Sequence, residues 1–162
     1  MPEMVNAYNG PQETDEVLQK LRHFCGFQER CTADVEEKLQ SLGVPRAKWP
    51  GIIAGLRNEH FLDDMRFAGA FARGKFRINR WGRKKIRYEL SGRGIPEEII
   101  GRGLEEIGEE EYLEVIRELV LKKLNETKGG KKLTVRNKIF TFVTGKGFES
   151  GLVSEAIKEL NI

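Results

Sequence analysis

The sequence predicts an all-α protein built of three tandem three-helix repeats, and three observations predict it. First, one pattern recurs: Leu39-x-x-x-Gly43-Val44, Leu90-x-x-x-Gly94-Ile95 and Val143-x-x-x-Gly147-Phe148, at spacings of 51 and 53 residues. Val35, Ile86 and Ile139 precede it by four residues, and Ile53, Leu104 and Ile157 follow each glycine by ten. Leu56, Ile107 and Leu160 follow by thirteen. Second, helix start and stop signals recur in step with this pattern. Third, no segment has convincing strand character. Ile139–Val143 favours a sheet on propensity alone, but its place in the repeat argues for helix. A unit of about fifty residues buries too little surface to be more than marginally stable, so stacking on neighbours is expected.

The expected organisation is a disordered leader at 1–12 and repeats at 13–61, 62–108 and 109–162. The leader is polar, with Pro2, Gly10 and Pro11. In the first repeat, Thr14 or Asp15 can cap a helix carrying Val17, Leu18, Leu21 and Phe24. Thr32 reads as the next N-cap, with Asp34, Glu36 and Glu37 suited to the positive end of the helix dipole. Gly43 ends that helix in a left-handed cap, and Pro45 opens the third. In the second repeat, Asp63 and Asp64 begin a helix with Phe67, Ala68 and Phe71 facing inward. Residues 80–93 form the second helix, Gly94 caps it and Pro96 opens the third. The third repeat starts with a long helix, about 110–126, and a Lys-Gly-Gly-Lys-Lys loop follows. Its second helix holds Val135, Ile139, Phe140 and Val143, and Glu149 stands where the other repeats have proline.

Charge is arranged in blocks, although the net charge is only +3. From Arg73 to Arg93 there are nine bases (Arg73, Lys75, Arg77, Arg80, Arg83, Lys84, Lys85, Arg87, Arg93) and one acid, Glu89. Seven acids and one base follow between Glu105 and Glu118, and six bases with no acid between Thr127 and Gly147. Such polarity suggests a partner with a patterned surface, nucleic acid, or both. Arg80, Arg83, Lys84 and Arg87 fall at i, i+3, i+4 and i+7, a basic face beside the apolar stripe of Ile86 and Leu90. With Arg73, Lys75, Arg77 and Lys85 they are the first candidate contacts for phosphate or carboxylate. Lys131, Lys132, Arg136 and Lys138 are a second set. Trp81 and Tyr88 interleave with the bases; inter-helix packing is the commoner fate of such rings, and stacking on a single strand the alternative.

Nothing in the sequence assembles a catalytic constellation. Asp63 and Asp64 point about 100° apart on a helix and read as a helix-starting pair. His23 and His60 are isolated and lack metal-ligand spacing. Cys25 and Cys31 match no metal or redox spacing and read as two ordinary thiols. The glycines form no phosphate-binding loop, and no cofactor is expected. No apolar run approaches a membrane span and no secretory signal is visible, so a cytoplasmic protein is expected.

Two stretches together resemble the RecX family of bacterial recombination regulators. One is Phe61-Leu62-Asp63-Asp64-Met65-Arg66-Phe67-Ala68; the other runs from Trp81-Gly82-Arg83 through Glu89-Leu90 to Arg93-Gly94-Ile95. Arg30-x-Thr32, with Glu37-x-Leu39 and Leu42-Gly43, is similar to the family's opening motif. The likeness covers about residues 14–162; in the third repeat the apolar framework carries it. It implies three tandem three-helix repeats in an elongated, curved stack. It also implies a cofactor-free non-enzyme that binds the RecA recombinase filament; a monomer is expected. Such a protein restrains RecA's ATPase, strand exchange and coprotease activity, and so acts on homologous recombination, DNA repair and the SOS response. Single- or double-stranded DNA is a possible further partner. The competing expectation is an autonomous DNA-binding module. Against it, the glycine turn precedes the third helix, where Glu97, Glu98, Ile99 and Ile100 make a poor base reader.

Overall fold

The computed structural model describes residues 11–162, with side chains from Thr14 onward. Among the described residues there are nine α-helices and no strand. In order they are α1 (Pro11–Phe27), α2 (Thr32–Ser41), α3 (Trp49–Asn58), α4 (Asp64–Asn79), α5 (Arg83–Gly92), α6 (Glu97–Leu104), α7 (Glu109–Glu126), α8 (Lys132–Gly145) and α9 (Ser150–Glu159). A short 3-10 turn, Arg46–Lys48, leads into α3. The protein is all-α, a tandem array of three-helix repeats. Most of the expected leader lies outside the described residues, and α1 takes in its last two positions.

The recurring pattern has a physical meaning at each position. Val35, Ile86 and Ile139 are fully buried, as are Leu39, Leu90 and Val143. Gly43, Gly94 and Gly147 all adopt left-handed backbone, with φ of 72°, 77° and 97°. The residue after each glycine (Val44, Ile95, Phe148) is buried again. In the first two repeats the glycine N–H donates to the carbonyl of Gln40 or Ser91, and the next N–H to that of Leu39 or Leu90. That pair of hydrogen bonds is the Schellman arrangement, which satisfies the last helical carbonyls and returns the chain to the core. Ile53, Leu104 and Ile157 then bury the third helix of each repeat.

Helix boundaries differ from the sequence expectation in several places. Cys31, not Thr32, is the N-cap of α2, and its N–H donates to Asp34 at 3.0 Å. Thr14 and Asp15 lie inside α1, which begins at Pro11. Pro45 opens the 3-10 turn, not α3 itself. The second helix of the second repeat begins at Arg83 rather than at residue 80. Arg80 there takes φ of 56° and ends α4, with Trp81 and Gly82 as the connection. Propensity favours a continuous basic helix, but closing α4 requires one left-handed residue, and no glycine is supplied.

The chain divides after Phe67 into two compact units. The first has a core of Val17, Leu21, Val35, Leu39, Ile52 and Leu56, with Leu62 closing it. Asp64, at the start of α4, accepts both the backbone N–H and the hydroxyl of Thr32, each at 2.8 Å. Arg66 donates to Glu29 at 2.8 Å and to the carbonyl of His60. The second unit, Ala68–Ile162, centres on a run of rings. Phe76 stacks on Tyr112 at 5.7 Å between centroids, and Tyr112 meets Phe148 at a tilt of 41° and 5.2 Å. Helices α7, α8 and α9 pack on one another within this unit.

Candidate partner-binding surface

Four of the nine bases of the first block meet the acidic block inside the second unit, and a fifth, Arg87, meets Glu97. Arg77 pairs with Glu111 at 3.1 Å and Arg80 with Glu118 at 3.4 Å. Arg73 pairs with Glu106, and Arg87 with Glu97. Arg83 reaches Glu109 at 2.6 Å and Glu149 at 3.2 Å. The two charge blocks are therefore complementary to each other. Apart from Arg83 these arginines remain largely accessible, so each pair contributes little and a stronger anion can compete for the arginine.

Arg83 is different. Its side chain is 26% exposed, and its guanidinium lies 3.9 Å from the centre of the Tyr112 ring. The Tyr112 hydroxyl donates to Glu149 at 2.6 Å and accepts the Arg83 backbone N–H at 3.1 Å. Burial, then the hydrogen bond to Glu149, raises the phenol far above its ordinary pKa, so it stays protonated. Glu149 is also the N-cap of α9, with the same extended backbone as Pro96 in the second repeat. The third repeat lacks proline there because the position supplies a carboxylate to Tyr112 and Arg83.

Among the described residues the lysines of the block have no such carboxylate partners. Lys75 lies over Phe71 and Trp81, and Lys85 lies 4.5 Å from the centre of Trp81. Trp81 packs edge-on against Phe71 at 6.4 Å, the packing role. Tyr88 is 78% exposed. Lys84 is exposed on α5.

Of the second candidate set, Lys131 is the N-cap of α8, and Lys131, Lys132 and Lys138 are exposed. Arg136 donates to the carbonyl of Ile162 at 2.5 Å. Leu133, exposed to 69%, sits among them at the rim of an open depression that Phe140 and Ile157 also line. The sequence reading left out Lys122, Lys123 and Phe142. Lys123 and Lys146 both lie over Phe142, at 4.9 and 5.8 Å. The available signal was the position of Lys146 directly before the repeat glycine Gly147.

The other singled-out residues serve structure. Asp63 accepts the N–H of Arg66 at 3.1 Å and starts α4, while Asp64 holds Thr32. His60 is exposed in left-handed backbone, and His23 lines a shallow depression beside Phe24 and Phe27. Cys25 and Cys31 are buried thiols outside any disulfide, and burial raises the Cys25 pKa. Among the described residues no three His, Cys, Asp or Glu side chains group as metal ligands, and no helix is long and apolar enough to cross a membrane.

Fold and surface define the class: a tandem three-helix-repeat protein with a strongly charged exterior, suited to contacting a macromolecule. Comparison with known proteins narrows it. The family model for the second three-helix domain of RecX matches residues 63–104. Regulatory protein RecX of Clostridium acetobutylicum is 34% identical over 113 residues, 67% of this chain and 52% of that protein. Its counterpart in Oceanobacillus iheyensis is 29% identical over 86% of this chain and 51% of its own length. That of Prosthecochloris aestuarii is 27% identical over 91% of this chain and 95% of its length. The chain thus spans about half the length of the first two relatives and nearly all of the third. The crystal structure of RecX from Lactobacillus salivarius superposes with a TM-score of 0.86 over 93% of this chain, at 24% identity. A second crystal structure of a regulatory protein RecX gives 0.81 over 90%, at 23% identity. The chain belongs to the RecX family.

Proposed function

We propose that this chain is a regulator that binds the RecA recombinase filament and lowers its ATPase, strand-exchange and coprotease activities. On this reading it acts as a cytoplasmic, monomeric binding protein rather than an enzyme, within DNA repair and the SOS response. The observation that carries it is the family likeness. It spans 91% of this chain and 95% of a relative named regulatory protein RecX. A tandem array of helices with charged faces is suited to a large partner. Lys84 and Arg87 on α5, with Lys131, Lys132 and Lys138 on α8, are the proposed contacts, and bound protein would oppose the protomer movements of ATP turnover.

The test is the single-strand-dependent ATPase rate of the same organism's RecA, titrated with this protein in excess DNA. Inhibition at substoichiometric ratios is expected. No effect at stoichiometric amounts, with intact DNA binding, would overturn the reading in favour of an autonomous DNA binder.

A further inference from the structure

We infer that the second unit carries a binding site for the phosphate backbone of single-stranded nucleic acid, formed by Lys85 on α5, Lys122 on α7 and Lys146 after α8. It refines the DNA side of the partner reading above and needs no RecA to operate.

Helix packing forces Lys85 and Lys146 together, and the charge of Lys122 on α7 acts on Lys146. The Gly82 N–H donates to the Lys146 carbonyl at 2.8 Å, and the Lys84 N–H to the Gly147 carbonyl at 3.0 Å. A Cβ on Gly82 would fall 2.3 Å from the Gly147 backbone, and one on Gly147 would fall 2.5 Å from the Lys85 Cβ. The start of α5 and the end of α8 therefore meet with no side chain between them, and Lys85 is set beside Lys146. None of Lys85, Lys122 and Lys146 has a carboxylate partner among the described residues. Of the acids one turn away, Glu118 is engaged by Arg80 at 3.4 Å and Glu126 by Lys123 at 4.0 Å, while Glu89 lies four residues beyond Lys85 on α5. The Lys146 pKa is lowered, first by burial and then by the charges of Lys122, Lys85 and Arg80. Elsewhere in this unit Arg73, Arg77, Arg80, Arg83 and Arg87 each meet a carboxylate. Here repulsion is left standing, and a bound polyanion would relieve it.

The chemistry of the groups favours phosphate of a single strand over an acidic protein. The unpaired cations are lysines, point charges suited to phosphate, whereas the arginines suited to forked carboxylate contacts are already paired. Tyr88 lies three residues beyond Lys85 on α5, so both share one side of the helix. It is 78% exposed, and its ring is open to a stacking base. The N–H groups that open α5 are not part of the site, because those of Gly82, Arg83 and Lys84 are all taken within the chain.

The test measures fluorescence anisotropy of a labelled oligothymidine of about 25 nucleotides against salt, without RecA. Wild-type protein should bind with strong salt dependence. The Lys85→Gln/Lys122→Gln/Lys146→Gln variant should lose at least about tenfold in affinity, with a salt slope smaller by about 2–3. It should also melt higher than wild type, since the repulsion is gone; a site that stabilises the protein when broken is the mark of a functional cluster. A charge-matched Lys20→Gln/Lys38→Gln/Lys48→Gln control in the first unit should bind as wild type. Lys122→Gln alone, at an exposed position, should weaken binding without touching the helix contact. Wild-type-like binding by the triple and single variants, equal losses in the control, or no binding by wild type would each overturn the site. Loss of RecA inhibition without any oligonucleotide binding would assign the lysines to an acidic protein surface instead.

Discussion

Arg83, Tyr112 and Glu149 show how one residue's role changes once its neighbours are known. In sequence Arg83 belongs to a basic face; in the structure it is held by two carboxylates and a ring. Tyr112→Phe keeps the stack on Phe76 and Phe148 but leaves Glu149 and the Arg83 N–H without the hydroxyl. A loss of about 1–3 kcal/mol is expected in denaturant titration. The pH dependence has a definite sign. Because the folded pKa is raised, the contribution is complete below the unfolded phenol value and is lost as pH rises. Above about pH 10 the unfolded chain ionises first and stability falls. Melting temperatures followed from pH 8 to 11 should converge for wild type and Tyr112→Phe; a constant gap would remove Tyr112 as the source.

At the scale of the element, equivalent positions need not carry equal cost. Gly94 and Gly147 end α5 and α8 with the same left-handed backbone. A Cβ at Gly94 meets open space, whereas one at Gly147 would collide with Lys85. Gly94→Ala should cost about 1–2 kcal/mol from backbone strain alone. Gly147→Ala should cost clearly more, because α5 and α8 must separate, and equal costs in urea unfolding would contradict the contact. The glycine pattern itself was legible in the sequence because left-handed caps demand it. That one of the three glycines also admits another helix was not, since repeat spacing says nothing about which turn faces which helix. The start of α5 was misplaced for a related reason: a run of bases supports helix by propensity, while the break at Arg80 follows from how α4 closes.

At the scale of the whole molecule, blocks of opposite charge suggested an external partner, and much of that charge is matched within the chain. The consequence can be tested on the proposed contacts. Lys84→Glu/Arg87→Glu disturbs exposed groups and one exposed ion pair, Arg87–Glu97, so it should melt within about 2–4 °C of wild type while inhibition of RecA falls by about tenfold or more. Arg83→Glu sets a carboxylate against Glu109 and Glu149 and should lower the melting temperature by a larger margin. Full inhibition by the folded double variant would exclude α5 from the interface. Asp63 and Asp64, read from the sequence as helix starters, do start α4, and Asp64 in addition holds Thr32.

The sequence by itself determined the three-helix repeat, its buried positions and its glycine turns. These follow from periodicity and backbone chirality, which act between residues close in the chain. Only the tertiary structure decided which charges are spent inside the molecule and which are left. Arg73, Arg77, Arg80 and Arg83 find acids 26 to 66 residues away, while Lys85, Lys122 and Lys146 converge without one. Electrostatic pairing depends on distance in space, and that distance is set by which helices pack.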